Sequence, residues 1–289
     1  MSLITAEGGA GQSGAGQSGA GQGYQAIPLP RSPVGDAALL ATMIRRSCGK
    51  QTRRAVLYVH CLRDSFVPPE LAVWYLQRGF HFYVVDLRAA RPHGREATLA
   101  EYFGCLDLAA RQIRDTDGND TVLVSAHRAG AVIAALWCHT RREAGRADAL
   151  ILADPEFGPD QRWLGRLLAA WSPAATAPGG TPEGRTAELL PHAQRRLRRG
   201  LDIACPVLVI NPPAATPQPS SSPTWTTPTR AAARSGPPAR LGAHVTWLRL
   251  DAGDRTAPTD DRETRKRLHE ELRRWLGAYL SAEIRDQLL

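Results

Sequence analysis

The sequence predicts an α/β protein with a mostly parallel sheet of eight strands and helices on both of its faces. From residue 24 onward, short apolar runs alternate with longer stretches that have helical periodicity, which is typical of this class. The chain has 289 residues, of which 43% are hydrophobic and 22% charged. That is enough to bury the core of one large domain, so one domain is expected.

The predicted strands and helices alternate along the chain. The strands are expected at 24–29, 39–44, 55–59, 80–86, 121–125, 149–153, 206–210 and 244–250. The helices are expected at 69–78, 99–114, 129–142 and 261–280. Apolar residues recur at helical spacing in the last of these, which indicates that it lies on the sheet. They are Leu268, Leu272, Trp275, Leu276 and Tyr279.

Three segments interrupt this alternation. Residues 1–23 end in a Gly/Ala/Gln/Ser repeat with nothing to bury, so we expect a flexible tail followed by one domain at 24–289. Residues 155–196 are rich in Pro, Gly and Trp, and 211–238 are rich in Pro, Ser and Thr. Long segments of this kind in a compact domain are usually functional or disordered.

Charge and hydropathy argue against two classes of partner. The net charge is +8, but the basic residues are spread along the chain without a nucleic-acid motif, so no nucleic-acid partner is expected. The chain has no run of eighteen apolar residues, so no membrane span is expected. The amino terminus also lacks the basic start and apolar stretch of a secretory signal, which favours a cytoplasmic protein.

The five cysteines are scattered and form neither a CxxC motif nor a spacing typical of metal ligands. They are Cys48, Cys61, Cys105, Cys138 and Cys205. This pattern predicts reduced thiols, with no structural metal and no cofactor.

Five segments resemble the strand and turn landmarks of α/β-hydrolases related to monoacylglycerol lipases and serine aminopeptidases. They are AVLYVH (55–60), FHFYVVDLR (80–88), DTVLVSAHRAGAVIAALW (120–137), CPVLVI (205–210) and HVTWLRLDAG (244–253). The resemblance covers about residues 24–281 and implies the α/β-hydrolase fold with a shortened lid at about 155–196. It also implies a Gly-His-Ser-x-Gly elbow after the fifth strand, an acid after the seventh and a histidine after the eighth.

The elbow departs from this pattern at its central residue. Residues 126–130 read Ala-His-Arg-Ala-Gly, which puts Arg128 at the nucleophile position. A guanidinium stays protonated at any ordinary pH, so it can neither attack a carbonyl carbon nor accept a proton.

The other two triad positions are also replaced. Residues 203–250 contain no Asp or Glu, and the turn expected to carry the histidine reads Asp-Ala-Gly-Asp-Arg at 251–255. The only histidine beyond residue 250 is His269, within the last predicted helix. The resemblance also implies a His-Gly motif after the third strand, in the loop that forms the oxyanion hole. Here His60 is followed by Cys61 instead of Gly. Triad-dependent hydrolysis is therefore not expected, because loss of a nucleophile alone lowers the rate by about 10⁶.

The resemblance supplies the candidate site residues. Those at the degenerate triad and oxyanion positions are Arg128, Asp254 and His60, and those expected to line a substrate pocket are Cys61, Leu62, His127, Ala129 and Trp163. A cation at a helix amino terminus is electrostatically unfavourable, so a negative group is expected near Arg128. That group is either Asp254 or a carboxylate or phosphate of the substrate; an outward-pointing Arg128 is the third possibility.

These observations leave three functional hypotheses. The first is a non-hydrolytic enzyme of isomerase, epimerase, cyclase or lyase type that acts on a small-molecule or peptide intermediate of natural-product or antibiotic biosynthesis. The hydrolase-like epimerase of the bottromycin pathway offers a fold-level analogy. The second is a catalytically inactive binding or interaction protein. The third is a hydrolase with a displaced nucleophile, Ser125 or Cys61.

Overall fold

The structure is a computed structural model that describes residues 23–29, 42–60, 69–87, 99–141, 147–155, 157, 199–211, 240–249 and 262–280. Nearly all of the expected tail at 1–23 and of the expected lid at 155–196 lie outside the described residues. So does all of the Pro/Ser/Thr-rich segment at 211–238 except residue 211.

The described residues form one sheet of eight strands. They are β1 (Tyr24–Pro28), β2 (Thr42–Arg46), β3 (Arg54–Val59), β4 (His81–Asp86), β5 (Thr121–His127), β6 (Ala149–Ala153), β7 (Val207–Asn211) and β8 (Val245–Arg249). Their spatial order is β1-β2-β4-β3-β5-β6-β7-β8. The contacts of β1 with β2 and of β2 with β4 are antiparallel, and the other five are parallel. The predicted mostly parallel sheet of eight strands is thus confirmed.

Helices cover both faces of this sheet. They are α1 (Pro69–Gln77), α2 (Leu99–Arg111), α3 (Ala129–Thr140) and α4 (Arg262–Tyr279), with a π-helical turn at Gln112–Thr116 directly after α2. The buried residues of α2 and α3 pack against one face, and those of α1 and α4 pack against the other. Tyr279 differs from the prediction for α4: its side chain is 40% exposed, and its ring contacts Trp275 and His244 instead of the sheet.

The central strands bring polar residues to one edge of the sheet. All six residues of β3 are buried, as are the five middle residues of β5, so these two strands are shielded on both faces. Because β3, β4, β5 and β6 are parallel, their carboxyl ends meet at the same edge. His60, Asp86, Arg128 and Asp154 lie at or directly after these ends.

Asp117 joins three elements at the opposite edge of the sheet. Its carboxylate accepts hydrogen bonds from the Tyr83 hydroxyl at 2.7 Å, from Arg45 Nη1 at 3.3 Å and from Gln112 Nε2 at 3.1 Å. The Asp117 side chain is only 11% exposed. It therefore connects β2, β4 and the π-helical turn in a partly desolvated setting, where hydrogen bonds to a charged group contribute most.

We expect Asp117→Ala to lower the free energy of unfolding by about 1–3 kcal/mol, because it leaves the partly buried donors without their acceptor. Asp120→Ala is the matched control. Asp120 pairs with Arg53, and both side chains are more than 60% exposed, so its loss should change stability by less than about 0.5 kcal/mol. Urea denaturation of both variants measures the difference. Equal losses would show that the Asp117 contacts contribute no more than a surface pair.

Candidate active site

Arg128 occupies a strained backbone conformation between β5 and α3. Its φ is 51° and its ψ is −118°, a region that residues with a side chain rarely adopt. Hydrogen bonds fix it on both sides: its N–H donates to the Ala153 carbonyl at 2.9 Å, and its carbonyl accepts from the Ala131 N–H at 3.1 Å. The sharp strand-to-helix turn that carries a serine in hydrolases of this fold is therefore present, with arginine at its tip.

Gly130 allows this turn to lie close to β3. A Cβ atom at Gly130 would be 2.7 Å from the Val59 carbonyl oxygen and would overlap the His60 carbonyl oxygen. Only glycine fits this approach without displacing the backbone of β3. The first turn of α3 is thus held against the start of the loop that follows β3.

The carboxylate beside Arg128 belongs to Asp154. Arg128 Nε lies 3.5 Å from Asp154 Oδ2, and the two side chains are 42% and 22% exposed. Arg128 Nε is itself buried and makes no hydrogen bond to the described residues, so the contact is an ion pair without hydrogen-bond geometry. Asp154 directly follows β6, has a φ of 47°, and is anchored by its N–H, which donates to the Ile210 carbonyl at 2.8 Å.

A histidine and a carboxylate lie at the ends of β3 and β4: His60 directly follows β3, and Asp86 is the last residue of β4. His60 Nε2 is 3.8 Å from Asp86 Oδ1, within ion-pair range but longer than a hydrogen bond. The His60 side chain is only 4% exposed, whereas that of Asp86 is 32% exposed. The edge therefore carries two close pairs of polar side chains, His60 with Asp86 and Arg128 with Asp154.

Cys105 of α2 lies close to the carboxylates of Glu101 and Asp86. Burial, with smaller contributions from the carboxylates of Glu101 and Asp86, raises the pKa of the Cys105 thiol to about 12. Its thiol is therefore protonated and unreactive at neutral pH.

The structure brings some of the predicted site residues together. Arg128, Ala129, His127 and His60 all lie at the elbow or at the adjacent end of β3; Ala129 is buried and His127 is half-buried. Cys61, Leu62, Trp163 and Asp254 lie outside the described residues, so their roles remain predictions, as does the pairing of Arg128 with Asp254.

Asp154 and Asp86 are site residues that the sequence analysis did not identify, and Asp154 is the partner of Arg128. Asp154 is the first residue after the predicted strand at 149–153, and that strand is parallel to the one before the elbow. An acid directly after a neighbouring parallel strand was the signal that could have identified it.

Ser125, one of the two possible displaced nucleophiles, faces away from the α2 and α3 layer. It pairs in register with Tyr58 and Ile151, which both belong to the core on the side of α1 and α4. Ser125 is 4% exposed and lies near the Tyr75 hydroxyl of α1, which makes no hydrogen bond to the described residues. A displaced nucleophile at Ser125 is therefore disfavoured, because the side chain is buried in the core between the sheet and helices α1 and α4.

Membrane-spanning helices and metal-binding clusters are both absent from the part of the chain that the structure describes. Within it, no helix is long and apolar enough to span a membrane. No cluster of three or more His, Cys, Asp or Glu side chains among those residues is arranged to hold a metal ion.

Several esterases are among the solved structures to which this chain is similar. Est1E from Butyrivibrio proteoclasticus superimposes with a TM-score of 0.54 at 14% identity, over 88% of this chain and 99% of its own. A highly thermostable carboxyl esterase from Bacillus coagulans gives a TM-score of 0.53 at 12% identity, over 89% and 99%. The esterase Pf2001 from Pyrococcus furiosus gives 0.52 at 12% identity, over 89% and 91%.

These similarities show that the chain has the α/β-hydrolase fold. At such low identity they establish the fold and not the activity. No protein-family model matches the chain, and no curated protein matches its sequence.

We expect Arg128→Gly to be more stable than Arg128→Ala by about 1 kcal/mol, because glycine adopts the elbow conformation without strain. Both substitutions remove the guanidinium and its contact with Asp154, so their difference isolates the backbone. Chemical denaturation of the two variants measures it. Equal stabilities would mean that the turn relaxes once the guanidinium is removed.

Proposed function

We propose that the protein is a non-hydrolytic enzyme built on the α/β-hydrolase fold, acting on a small molecule or peptide that carries an anionic group. The reaction class we favour is isomerisation, epimerisation, cyclisation or elimination. One observation carries the proposal: a strained elbow is retained, and the side chain it presents is a cation. Backbone strain of this kind costs about 1–3 kcal/mol and persists mainly at functional sites.

The surroundings of Arg128 favour an anionic ligand. The first N–H groups of α3 have no acceptor within the helix, and the helix dipole adds positive potential at the same place. The Arg128 side chain is 42% exposed, so part of it is open to a ligand. A guanidinium binds a carboxylate with two parallel hydrogen bonds, which is a stronger contact than the present one.

Asp154 holds Arg128 only weakly in the present arrangement. The 3.5 Å contact lacks hydrogen-bond geometry and is partly exposed, so it contributes about 0.2–1 kcal/mol at most. A substrate carboxylate can therefore replace Asp154 as the partner of Arg128 at small cost. The pair also explains how the cation is tolerated beside a helix amino terminus when no ligand is bound.

His60 is our candidate for proton transfer. Imidazole is the side chain most often used as a general acid or base near neutral pH, and the Asp86 carboxylate lies 3.8 Å from Nε2 of the His60 ring. Epimerisation and elimination can proceed by removal of a proton beside a group that stabilises negative charge. Arg128 would hold the acidic group of the substrate while His60 moves the proton.

We assign the substrate to natural-product biosynthesis by fold-level analogy alone. The principal alternative is a binding protein that retains the anion site without catalysis. A displaced hydrolytic nucleophile would have to be Cys61, since Ser125 is buried against α1.

We expect no hydrolysis of short-chain p-nitrophenyl esters above the buffer rate, and no labelling by a fluorophosphonate probe. Arg128→Ser should be equally inactive, although it recreates an Ala-His-Ser-Ala-Gly elbow. A serine hydroxyl needs a positioned base, and both expected triad partners are replaced. Labelling of any serine in the wild-type protein would overturn the non-hydrolytic assignment, and ester turnover by Arg128→Ser would show that a working base and acid remain.

We expect millimolar small carboxylates to raise the melting temperature of the wild-type protein, while the matching primary amides do not. Arg128→Gln should weaken carboxylate binding about tenfold to a hundredfold, since a charge-assisted hydrogen bond contributes about 1.5–3 kcal/mol. Arg141→Gln is the matched control. Arg141 lies at the other end of α3, pairs with Asp107 at 3.3 Å and is 43% exposed, so its loss should leave binding unchanged.

The same panel of small carboxylates also distinguishes an enzyme from a binding protein. A carboxylate that binds should exchange its α-hydrogen for deuterium in D₂O when the wild-type protein is present, and not with His60→Gln. Binding without exchange by any member of the panel would favour the binding protein. Absence of carboxylate binding, or equal binding by Arg128→Gln, would contradict the anion site itself.

A further inference from the structure

Two of the cysteines form a thiol pair away from the elbow. Cys138 lies in the last turn of α3, and Cys205 lies two residues before β7. Each thiol shifts the pKa of the other, which indicates that the two side chains lie close together, and neither cysteine is in a disulfide. Each is half-buried and packs against the core layer formed with α2 and α3.

Neighbouring contacts hold the two chain segments together. The Asp202 N–H donates to His139 Nδ1 at 3.0 Å, so the residue after Cys138 is bonded to the segment that leads to Cys205. Leu201 and Ile203 alternate with Asp202 and are buried in the same core. The backbone and the core therefore hold together the two segments that carry the cysteines.

The two thiols differ in acidity. The interaction with Cys138 is the main cause that lowers the pKa of the Cys205 thiol, and the interaction with Cys205 is the main cause that raises the pKa of the Cys138 thiol. Cys205 is therefore the first of the pair to become a thiolate, which is the nucleophilic form of cysteine. Cys105 differs from both, since burial raises the pKa of its thiol to about 12.

We propose that Cys138 and Cys205 are an oxidisable pair that forms an intramolecular disulfide when the protein meets a hydroperoxide. The Cys205 thiolate attacks the distal peroxide oxygen, the O–O bond breaks, and with one proton taken up the products are a sulfenic acid and water (or an alcohol). The Cys138 sulfur then attacks the Cys205 sulfur, the S–OH bond breaks, and water leaves with the Cys138 proton. Two thiols are oxidised and one peroxide is reduced.

The disulfide would anchor the helix that carries the elbow. Arg128 precedes the amino end of α3, and Cys138 is near its carboxyl end. Linking Cys138 to Cys205 closes a long loop, which restricts the unfolded chain. The proposal does not depend on the proposed function, because it concerns the opposite end of α3.

Trypsin digestion separates the cysteines, which makes the test direct. Each cysteine falls in a different tryptic peptide: Cys48 in 47–50, Cys61 in 55–63, Cys105 in 96–111, Cys138 in 129–141 and Cys205 in 200–230. The reduced full-length protein is treated with hydrogen peroxide, its remaining thiols are blocked, and the digest is analysed without reduction by mass spectrometry. We expect peptides 129–141 and 200–230 to appear as one linked species, two hydrogen masses below their sum.

Cysteine variants and the melting temperature after peroxide treatment provide further tests of the disulfide. The link should disappear on reduction with dithiothreitol, be absent in Cys138→Ser and Cys205→Ser, and persist in Cys105→Ser. Peroxide should raise the melting temperature of the wild-type protein by about 5 °C or more, and should not raise that of the double variant. If Cys48 is oxidised while peptides 129–141 and 200–230 stay unlinked, or if either cysteine links elsewhere, the proposal is wrong.

Discussion

The turn between β5 and α3 is the constraint on which the rest of the site depends. Arg128 is held at a φ of 51° because its N–H is bonded to β6 and its carbonyl begins α3. Gly130 then lets the first turn of the helix rest against the carbonyl oxygens that end β3. A strained residue persists only where its surroundings determine it this completely. The backbone of a nucleophile elbow is thus maintained independently of the side chain at its tip.

The guanidinium of Arg128 places a positive charge at the elbow, where a serine hydrolase has a neutral hydroxyl. In a serine hydrolase, the amino terminus of the helix stabilises negative charge on the nucleophile or on the reacting oxygen. Here a cation occupies that position, and Asp154 partly compensates it from the next strand. The pair is loose, since Arg128 Nε has no hydrogen bond among the described residues. This loose contact supports our proposal that a ligand carboxylate replaces Asp154 as the partner of Arg128.

Helix α3 connects the two regions for which we propose chemistry. Nine of its residues, from Ala129 to Trp137, are buried beneath the sheet, so the helix is fixed along most of its length. Trp137 Nε1 donates to Asp107 at 2.9 Å, which ties α3 to α2. Only its two ends reach chemically active groups: Arg128 at the start, and the thiol pair of Cys138 and Cys205 at the finish.

The sequence predicts eight strands, four helices and a sheet that is covered on both faces, because apolar runs and helical periodicity reflect burial directly. It also placed Arg128 at the elbow, since the flanking strand and helix define that position. It did not determine the partner of Arg128, because pairs such as Arg128 with Asp154 or His60 with Asp86 join residues far apart in the chain. Those contacts, and the burial of Ser125 against α1, depend on strand order and on which face each residue occupies. The tertiary structure alone decided them, because parallel strands separated in sequence bring their carboxyl ends to one edge.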